Sequence, residues 1–474
     1  MTKWQQSLLC TVLAWQLSGC ALLSDMSRVD DGLDKTTISP QLPAKWQLDK
    51  QKNSLTAQPI DSNGLIDFIA TDESLQHLMT LALAGNQSLQ NQRLSVEIQA
   101  QRLSQSNAAL WPSLSANVSA NRRKANESFS ESYSQGLGID YELDLWGKLA
   151  ASEQQANLQL MAATSQLHQT QLQLQADILT TWFDAIAVAQ ILVVYQERVK
   201  VSLENLAIIE SGYQQGLNSA LDVYLTRNEL NSERALLASQ QQSLLSTKRR
   251  LARLAADVEV SQIDLSADLP ALVNQMPVGV PSDVIKSQPA LQVSWYQMLG
   301  ADANLAFAHK RRFPSLTIRG SADKGGSQFQ QIVEGDIGWS LLANLTAPIF
   351  DAGRLKAEQK IAALQLRQAE QNYLNQLYQS LTDAQTAMSN ESSLVAQLEA
   401  TQKAQQNADS AMKLSFEQYR SGLVSYTTVL DAQNRAYSAK VAVIRLKNQL
   451  LANRIKLHLV LGGQTVLNHQ SSTL

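Results

Sequence analysis

Between Gly147 and Ile209 the chain runs for about 60 residues with no proline and no internal glycine. Apolar residues recur there through Leu174, Ile178, Ala185, Val188, Leu192, Tyr195, Val199, Leu206 and Ile209, with Thr181 and Ser202 in the weaker positions. The steps of three, four or seven residues make a heptad seam, the pattern a helix needs to lie along another helix. At 1.5 Å per residue this helix is roughly 90 to 100 Å long, more than one globular core can cover.

The chain then repeats itself. Tyr213-Gln-Gln-Gly216-Leu217 closes the first long helix, and Tyr419-Arg-Ser-Gly422-Leu423 closes another 206 positions later. The same offset pairs Val223 with Val429, Asn228 with Asn434 and Leu251 with Leu457. Earlier in the chain the offset is 202, which pairs Pro112-Ser-Leu114 with Pro314-Ser-Leu316 and Leu89 with Leu291. An internal duplication governs the layout. Repeat 1 is expected over 71–256 and repeat 2 over 282–463, joined by a linker at 257–281 and followed by a polar tail at 464–474. Within each repeat one helix (about 72–109 in the first) leads to a β-hairpin, a long helix, a turn at Gly212 and Gly216 or at Gly422, and a return helix. Glycine permits the positive φ that such a reversal requires.

The hairpins are expected over 113–145 and 315–350. There the period changes to two: Leu114, Ala116, Val118 and Ala120 alternate with polar residues, as do Leu137, Ile139, Tyr141, Leu143 and Leu145 after a polar loop. The second repeat matches with Leu316, Ile318 and Gly320, then Trp339, Leu341, Ala343, Leu345 and Ala347. These runs have about the nine to eleven residues a tilted membrane strand needs, with one apolar face. Trp111, Trp146, Phe313 and Phe350 flank the strands as a candidate interfacial girdle. A soluble hairpin with one buried face carries the same alternation.

Residues 1–19 read as a signal peptide, with Lys3, an apolar stretch from Leu8 to Leu17, and Leu17-Ser-Gly-Cys20 resembling a bacterial lipobox. Cys20 is then the lipidated first residue, and 20–70 a lipid-anchored arm containing Pro40, Pro43 and Pro59. Acyl chains at about 0.8 kcal/mol per buried methylene make a stable anchor. Ala21 rather than Asp after the cysteine resembles the signal for transfer to the outer membrane. Cys10 would leave with the signal peptide, so no internal disulfide is expected.

The net charge of −3 carries no basic excess for nucleic acid. No later stretch offers about 20 consecutive apolar residues, so no transmembrane helix is expected. His77, His168, His309, His458 and His469 are isolated, and there is no phosphate-cradling loop or Gly-x-Ser-x-Gly elbow. No enzyme, catalytic residue, metal or cofactor is expected.

Four strands cannot close a membrane barrel, whose smallest single-chain form has eight. Two, three or four copies would supply eight, twelve or sixteen. The chain resembles the TolC-like family of outer-membrane efflux proteins, in particular its lipoprotein branch serving resistance-nodulation-division pumps. The resemblance rests on the duplicated element order, Trp111-Pro-Ser-Leu114 and Phe313-Pro-Ser-Leu316, Ile139-Asp-Tyr-Glu-Leu-Asp-Leu-Trp-Gly147, Pro348-Ile-Phe-Asp-Ala-Gly353, and Val429-Leu-Asp-Ala-Gln433. It departs just after Cys20, where many lipoprotein members carry Gly-Pro and this chain has Ala-Leu-Leu-Ser.

The resemblance implies a mainly α fold with a small transmembrane β part: long coiled-coil helices forming an α-barrel tunnel, and four strands per chain completing a twelve-strand outer-membrane barrel in a homotrimer. It implies a passive exit duct for small molecules from periplasm to exterior, working with a periplasmic adaptor and an inner-membrane pump. A type I protein secretion duct is the alternative on the same fold, and a lipid-anchored coiled-coil scaffold the alternative without a channel. The family's periplasmic gate implies roles for Tyr419 and Asp431, with Asp222 in Ala220-Leu-Asp-Val223 taken as the counterpart in the first repeat and Arg420 as a further gate candidate. Gln418 stands where some members carry an arginine, and Thr428 where others carry a second aspartate. Gly216, Leu217, Gly422, Leu423 and Val424 map to the tips that dock the adaptor. Plainer roles compete: a carboxylate early in a helix is favoured by the macrodipole, Arg420 suits a solvated tip, and the glycines make the turn.

Overall fold

The computed structural model describes residues 72–125, 127–257, 265, 268–270 and 288–462. The signal peptide, Cys20, the arm and the tail lie outside them, as does most of the linker. Repeat 1 contains α1 (Glu73–Gly85), α2 (Gln87–Ala108), β1 (Ser113–Ala125), β2 (Ser128–Leu143), α3 (Lys148–Gln214) and α4 (Ala220–Ala255). Repeat 2 contains α5 (Pro289–Lys310), β3 (Ser315–Gly326), the short α6 (Gln331–Glu334), β4 (Gly338–Thr346), α7 (Arg354–Arg420) and α8 (Tyr426–Val460). Both long helices have 67 residues, which is about 100 Å.

The single helix expected over 72–109 is broken. Asn86 sits extended between α1 and α2, and its Oδ1 accepts from Ser88 and Leu89 N–H at 3.0 and 3.2 Å. Its Nδ2 donates to Leu254 O at 3.0 Å, so one side chain starts α2 and also serves the C-terminal end of α4. Gly85-Asn86 is the local cause: a poor helix former followed by a good cap.

The expected seam on α3 is buried at Leu174, Ile178, Thr181, Ala185, Ser202 and Ile209, and elsewhere beyond Ala185 the buried stripe departs from it. Beyond residue 190 the buried positions are Ile191, Val194, Arg198, Ser202, Asn205 and Ile209, with Leu192, Tyr195, Val199 and Leu206 only half-buried beside them. α3 packs against both α4 and α8, so its most enclosed line runs between the two partners, where polar residues are accommodated. Nearer the sheet α3 is enclosed on more sides: Trp182, Phe183, Ile178 and Ile186 form the main core with Leu75 and Leu89, Leu251, and Leu451. α3 contains an 18-residue window of mean hydropathy 1.7, long and apolar enough to cross a membrane by composition. This modifies the expectation that no such helix exists, although 56 % of that window is buried against other parts of the protein.

The four strands form one antiparallel sheet in the order β1-β2-β3-β4. Its register puts the apolar residues on one face: Leu114 faces Ile139, Ile139 faces Gly320, and Gly320 faces Leu341. Gly320 is required there, because a Cβ would stand 2.7 Å from Ile139 Cγ2. The other face carries Ser119 bonded to Ser134 at 2.8 Å, Ser321 to Ser340 at 2.9 Å, and an Asp140–Arg319 ion pair at 2.7 Å. β1 and β2 run past the expected apolar segments to Ala125 and back to Ser128, so the expected polar loop is mostly paired strand. Its cross-strand contacts are polar: Arg122 pairs with Glu131 at 3.2 Å and lies over the Phe129 ring at 4.5 Å.

Each hairpin passes into its long helix through the same device. Asp144 accepts from Leu149 and Ala150 N–H at 3.0 and 2.9 Å, and Asp351 from Gly353 and Leu355 at 3.0 and 2.9 Å. Gly147 and Gly353 turn the chain with φ of 72° and 85°. The Leu355 N–H bond is the main reason the Asp351 carboxyl titrates below its ordinary range. Asp144→Ala and Asp351→Ala are each expected to cost about 1 kcal/mol, additively, in thermal unfolding followed by helical circular dichroism.

Candidate functional site

The two helical turns at the far end from the sheet are built alike. Gly216 and Gly422 adopt φ of 74° and 73°. Leu217 N–H donates to Gly212 O at 2.8 Å and Leu423 N–H to Gln418 O at 2.9 Å, the six-to-one bond that closes a helix on a left-handed glycine. Leu217 and Leu423 stand out as 76 % and 74 % exposed. Gly216 and Gly422 are exposed beside them and Val424 is half-buried.

The turns are locked together from inside. Tyr419 Oη donates to Asn218 Oδ1 at 3.1 Å, and Asn218 Nδ2 donates to Ile209 O at 3.1 Å. The Tyr419 ring lies tilted against Tyr426 with centroids 5.4 Å apart, and Tyr426 is buried with Ile209, Val223 and Val429. Burial, and then the Asp222 carboxylate, hold the Tyr419 hydroxyl above its ordinary pKa, so it remains a donor. Tyr419 and Asp222 are thus brought to one place. Arg420 is exposed at the tip and Asp431 is exposed on α8, and neither is hydrogen-bonded or ion-paired to Tyr419 or Asp222.

Asp222 and Asp431 are not counterparts. α4 and α8 begin at Ala220 and Tyr426, so the 206-residue offset aligns Asp222 with Thr428 and Asp431 with Leu225. Asp222 completes a capping box with Ser219: Asp222 N–H donates to Ser219 Oγ at 3.2 Å, and Ser219 N–H donates to Asp222 Oδ2 at 3.2 Å. Asp431 lies three residues farther into its helix than Asp222 does in α4, and it makes no hydrogen bond or ion pair among the described residues.

At the sheet end, Trp146 and Phe313 pair at 5.4 Å, and Trp146 Nε1 donates to Pro314 O at 2.7 Å. Trp111 and Phe350 are 74 % and 90 % exposed. A second aromatic group that the sequence reading passed over lies at the other end of the strands, with Trp339 79 % exposed and Tyr133 edge-on to Phe329 at 5.8 Å. Its signal was the alternation itself, carried outward to the tip of β2.

Sequence reasoning also missed a buried ionic cluster. Arg198 on α3 is bonded to Glu233 on α4 and donates to Asn434 Oδ1 on α8 at 2.7 Å, with Glu229 3.9 Å away. Tyr195 and Tyr437 lie 5.5 and 5.2 Å from the guanidinium. Burial pushes the Glu233 carboxyl up to about 7, against the pull of Arg198 and with Glu229 adding to the rise. Further polar links join α3 to α8: Asn205 to Gln433 at 3.4 Å, Lys440 to Glu197 at 3.1 Å and Asn448 to Asp184 at 2.6 Å. No group of three or more metal-ligating side chains occurs among the described residues.

The model of the family described as outer membrane efflux protein matches residues 78–257 and 280–463. The chain belongs to the outer membrane efflux protein family. Among curated relatives, the solvent efflux pump outer membrane protein SrpC of Pseudomonas putida is 26 % identical over 412 residues, covering 83 % of this chain and 86 % of the relative. The probable outer membrane lipoprotein SilC of Salmonella typhimurium is 25 % identical over 432 residues, covering 90 % and 93 %. The fold matches the outer-membrane channel OprN with a TM-score of 0.81 at 20 % identity, covering 89 % of this chain and 97 % of that one. It also matches the open state of the MtrE channel of Neisseria gonorrhoeae with a TM-score of 0.78 at 24 % identity, covering 89 % and 96 %. Members of this family are efflux ducts rather than enzymes.

Removing Arg198 leaves Glu233 buried without its cation, and Arg198→Ala is expected to cost roughly 3 to 5 kcal/mol. The pH dependence follows from Glu233. Its folded pKa lies above the ordinary 4.5, so the folded protein keeps a proton that the unfolded chain releases. The stability this contributes is fully present below about pH 4.5 and is lost as the pH rises toward about 7. Thermal melts of Glu233→Gln between pH 4 and 8 are expected to lack that decline.

Proposed function

We propose that the chain is one of three identical protomers of an outer-membrane exit duct, conducting small molecules from periplasm to exterior. The observation that carries this reading is the open sheet. β1 and β4 each pair on one side only, and the apolar face between them is exposed, with Leu114, Val118, Leu341 and Leu345 all above 60 %. Within lipid such edges must be closed by other strands. Copies of the same chain supply them, edge to edge, and rotation closes the ring.

Three copies give a twelve-strand barrel, the number the family resemblance implies. The helical layer supports the same arrangement: its edge helices carry exposed Leu94 and Ile98 on α2, and Ile361 and Leu364 on α7, suited to meet between neighbours. Both helices flanking each hairpin leave it on one side, so the helical body extends into the periplasm. Cys20 as a lipidated residue would anchor the chain to that side, and the domain limits given above follow the same plan. An adaptor docks at the tips through Gly216, Leu217, Gly422, Leu423 and Val424, and an inner-membrane pump drives transport through it.

In this reading Tyr419, held by Asn218, keeps α7 against the turn between α3 and α4, and three such contacts narrow the entrance. Asp431 is the carboxylate available to ions, because Asp222 is engaged in its cap and Arg420 points to solvent at the tip. Deleting the gene in its host should raise accumulation of amphiphilic dyes and antibiotics, and complementation should restore the low level. Unchanged accumulation with an altered set of secreted proteins would replace this reading with polypeptide export. In planar bilayers Tyr419→Phe is expected to raise the conductance of the resting channel. Asp431→Ala should lower its cation preference, and an unchanged preference removes Asp431 from the ion path.

A further inference from the structure

Between the sheet and the Trp182 core, α2, α3, α5 and α7 together wall a trough of about 550 Å³. α3 presents Gln155 and Gln159 to it, α5 presents Gln297 and Asn304, and α2 presents Gln92 and Gln99. The lining positions on α3 and on α5 each fall on one helical face, at steps of three and four. The four helices pack in sequence as one layer, α2 on α3, α3 on α5 and α5 on α7. A cavity walled by all four lies on the side toward which that layer bends, because on the outer side their side chains splay apart. In a ring closed from three such layers that side is the lumen.

The chemistry of this wall is uniform. None of the residues lining it is charged, and eight of the fourteen are side-chain amides. The charges of the same helices, such as Arg93, Glu97, Glu153, Asp302 and Arg367, are not among them. Some amides are tied: Gln92 donates to Ala163 O at 3.5 Å and Asn304 to Gln365 Oε1 at 3.3 Å. Gln155, Gln159 and Gln297 make no hydrogen bond among the described residues, and Gln99 Oε1 is buried without a partner. Each free amide presents two donors and an acceptor and does not titrate.

We propose that this trough is the tract of tunnel wall that passing solutes touch, and that it takes uncharged and zwitterionic hydrogen-bonding molecules as readily as ions of either sign. A fixed ring of charge would favour one sign and repel the other. A wall of amide dipoles solvates both, and it does so at every pH. Charge selection then falls to other parts of the duct, the carboxylates of the helix tips among them. This rests on the duct reading, and the test separates the two.

The full-length trimer carrying Gln159→Lys or Gln159→Glu is to be inserted into planar bilayers under a salt gradient. Three added charges at a neutral lumen wall should move the cation-to-anion permeability ratio by about twofold or more, toward anions for Lys and toward cations for Glu. Channels that form normally but show the parent ratio with both variants would place Gln159 outside the lumen and overturn the proposal. If the unsubstituted protein forms no conducting channel, it is the duct reading that fails.

Neutrality is read separately with Gln159→Cys. Cationic and anionic thiol reagents, added from the barrel side, should each lower the conductance, with the unsubstituted chain as control. Their rates, normalised to reaction with a free thiol, should agree within about threefold, and a bias of about tenfold would overturn the neutral wall.

Discussion

Backbone hydrogen bonding in lipid is the constraint on which the rest of this architecture depends. An unpaired N–H or C=O costs several kcal/mol in hydrocarbon, so a sheet with two open edges has no stable place there alone. The register places Leu114, Ile139, Ile318, Leu341 and Leu345 outward over a band roughly 20 Å tall. Charges return at Arg122, Lys124 and Glu131 toward the hairpin tip. An apolar outer face and an ion-paired inner face, Asp140 with Arg319, suit a water-filled barrel. Closure by copies then dictates the symmetry of everything attached, the two 67-residue helices of each protomer included.

Polar residues do in the helical body what apolar ones do in an ordinary coiled coil. The tightest line on α3 passes through Arg198, Ser202 and Asn205, and Arg198 and Asn205 meet polar partners on α4 and α8. A buried ion pair is weak evidence for stability, since desolvation offsets most of the attraction. What it supplies here is register. Sliding α8 by one residue along α3 would separate Asn434 from Arg198 and Gln433 from Asn205, whereas a purely aliphatic seam tolerates such slips. The Tyr419–Asn218 bond at the tip depends on that register holding over some 30 Å of helix.

Long periodicities were legible in the sequence, and single-residue chemistry was less so. The duplication, the two 67-residue helices and the four strands follow from heptads, alternation and the spacing of prolines, signals spread over many residues. The break at Asn86 was hidden because Ala82 and Leu89, seven residues apart, continue the helical spacing across it, while capping outweighs that spacing at one position. On α3 the expected seam was met at Ser202 and Ile209 but missed by one residue at 191, 194, 198 and 205, since buried Arg198 and Asn205 do not register as core in an apolar count. The outer parts of β1 and β2 were read as loop since both faces are polar there, although pairing continues through Arg122 and Glu131. At the tips, Tyr419 and Asp222 were found by resemblance, but the unequal placing of Asp222 and Asp431 emerged only once both helix starts were known.

That inequality bears on how the entrance handles charge. Had the two aspartates been equivalent, a threefold entrance would carry six carboxylates at one level. Like charges about 10 Å apart in water repel by about 0.4 kcal/mol per pair, and more where the walls exclude solvent. Instead Asp431 lies about one turn deeper along its helix than Asp222, roughly 4.5 Å by helical rise. The two sets also differ in state. The Asp222 carboxylate is held by Ser219 at the start of α4, where the macrodipole compensates its charge. Asp431 lies beyond the first turn and has no such partner. In the duct reading proposed above, the carboxylate ring offered to a permeating cation is then one of three, supplied by repeat 2 alone, because Asp222 is held in its cap.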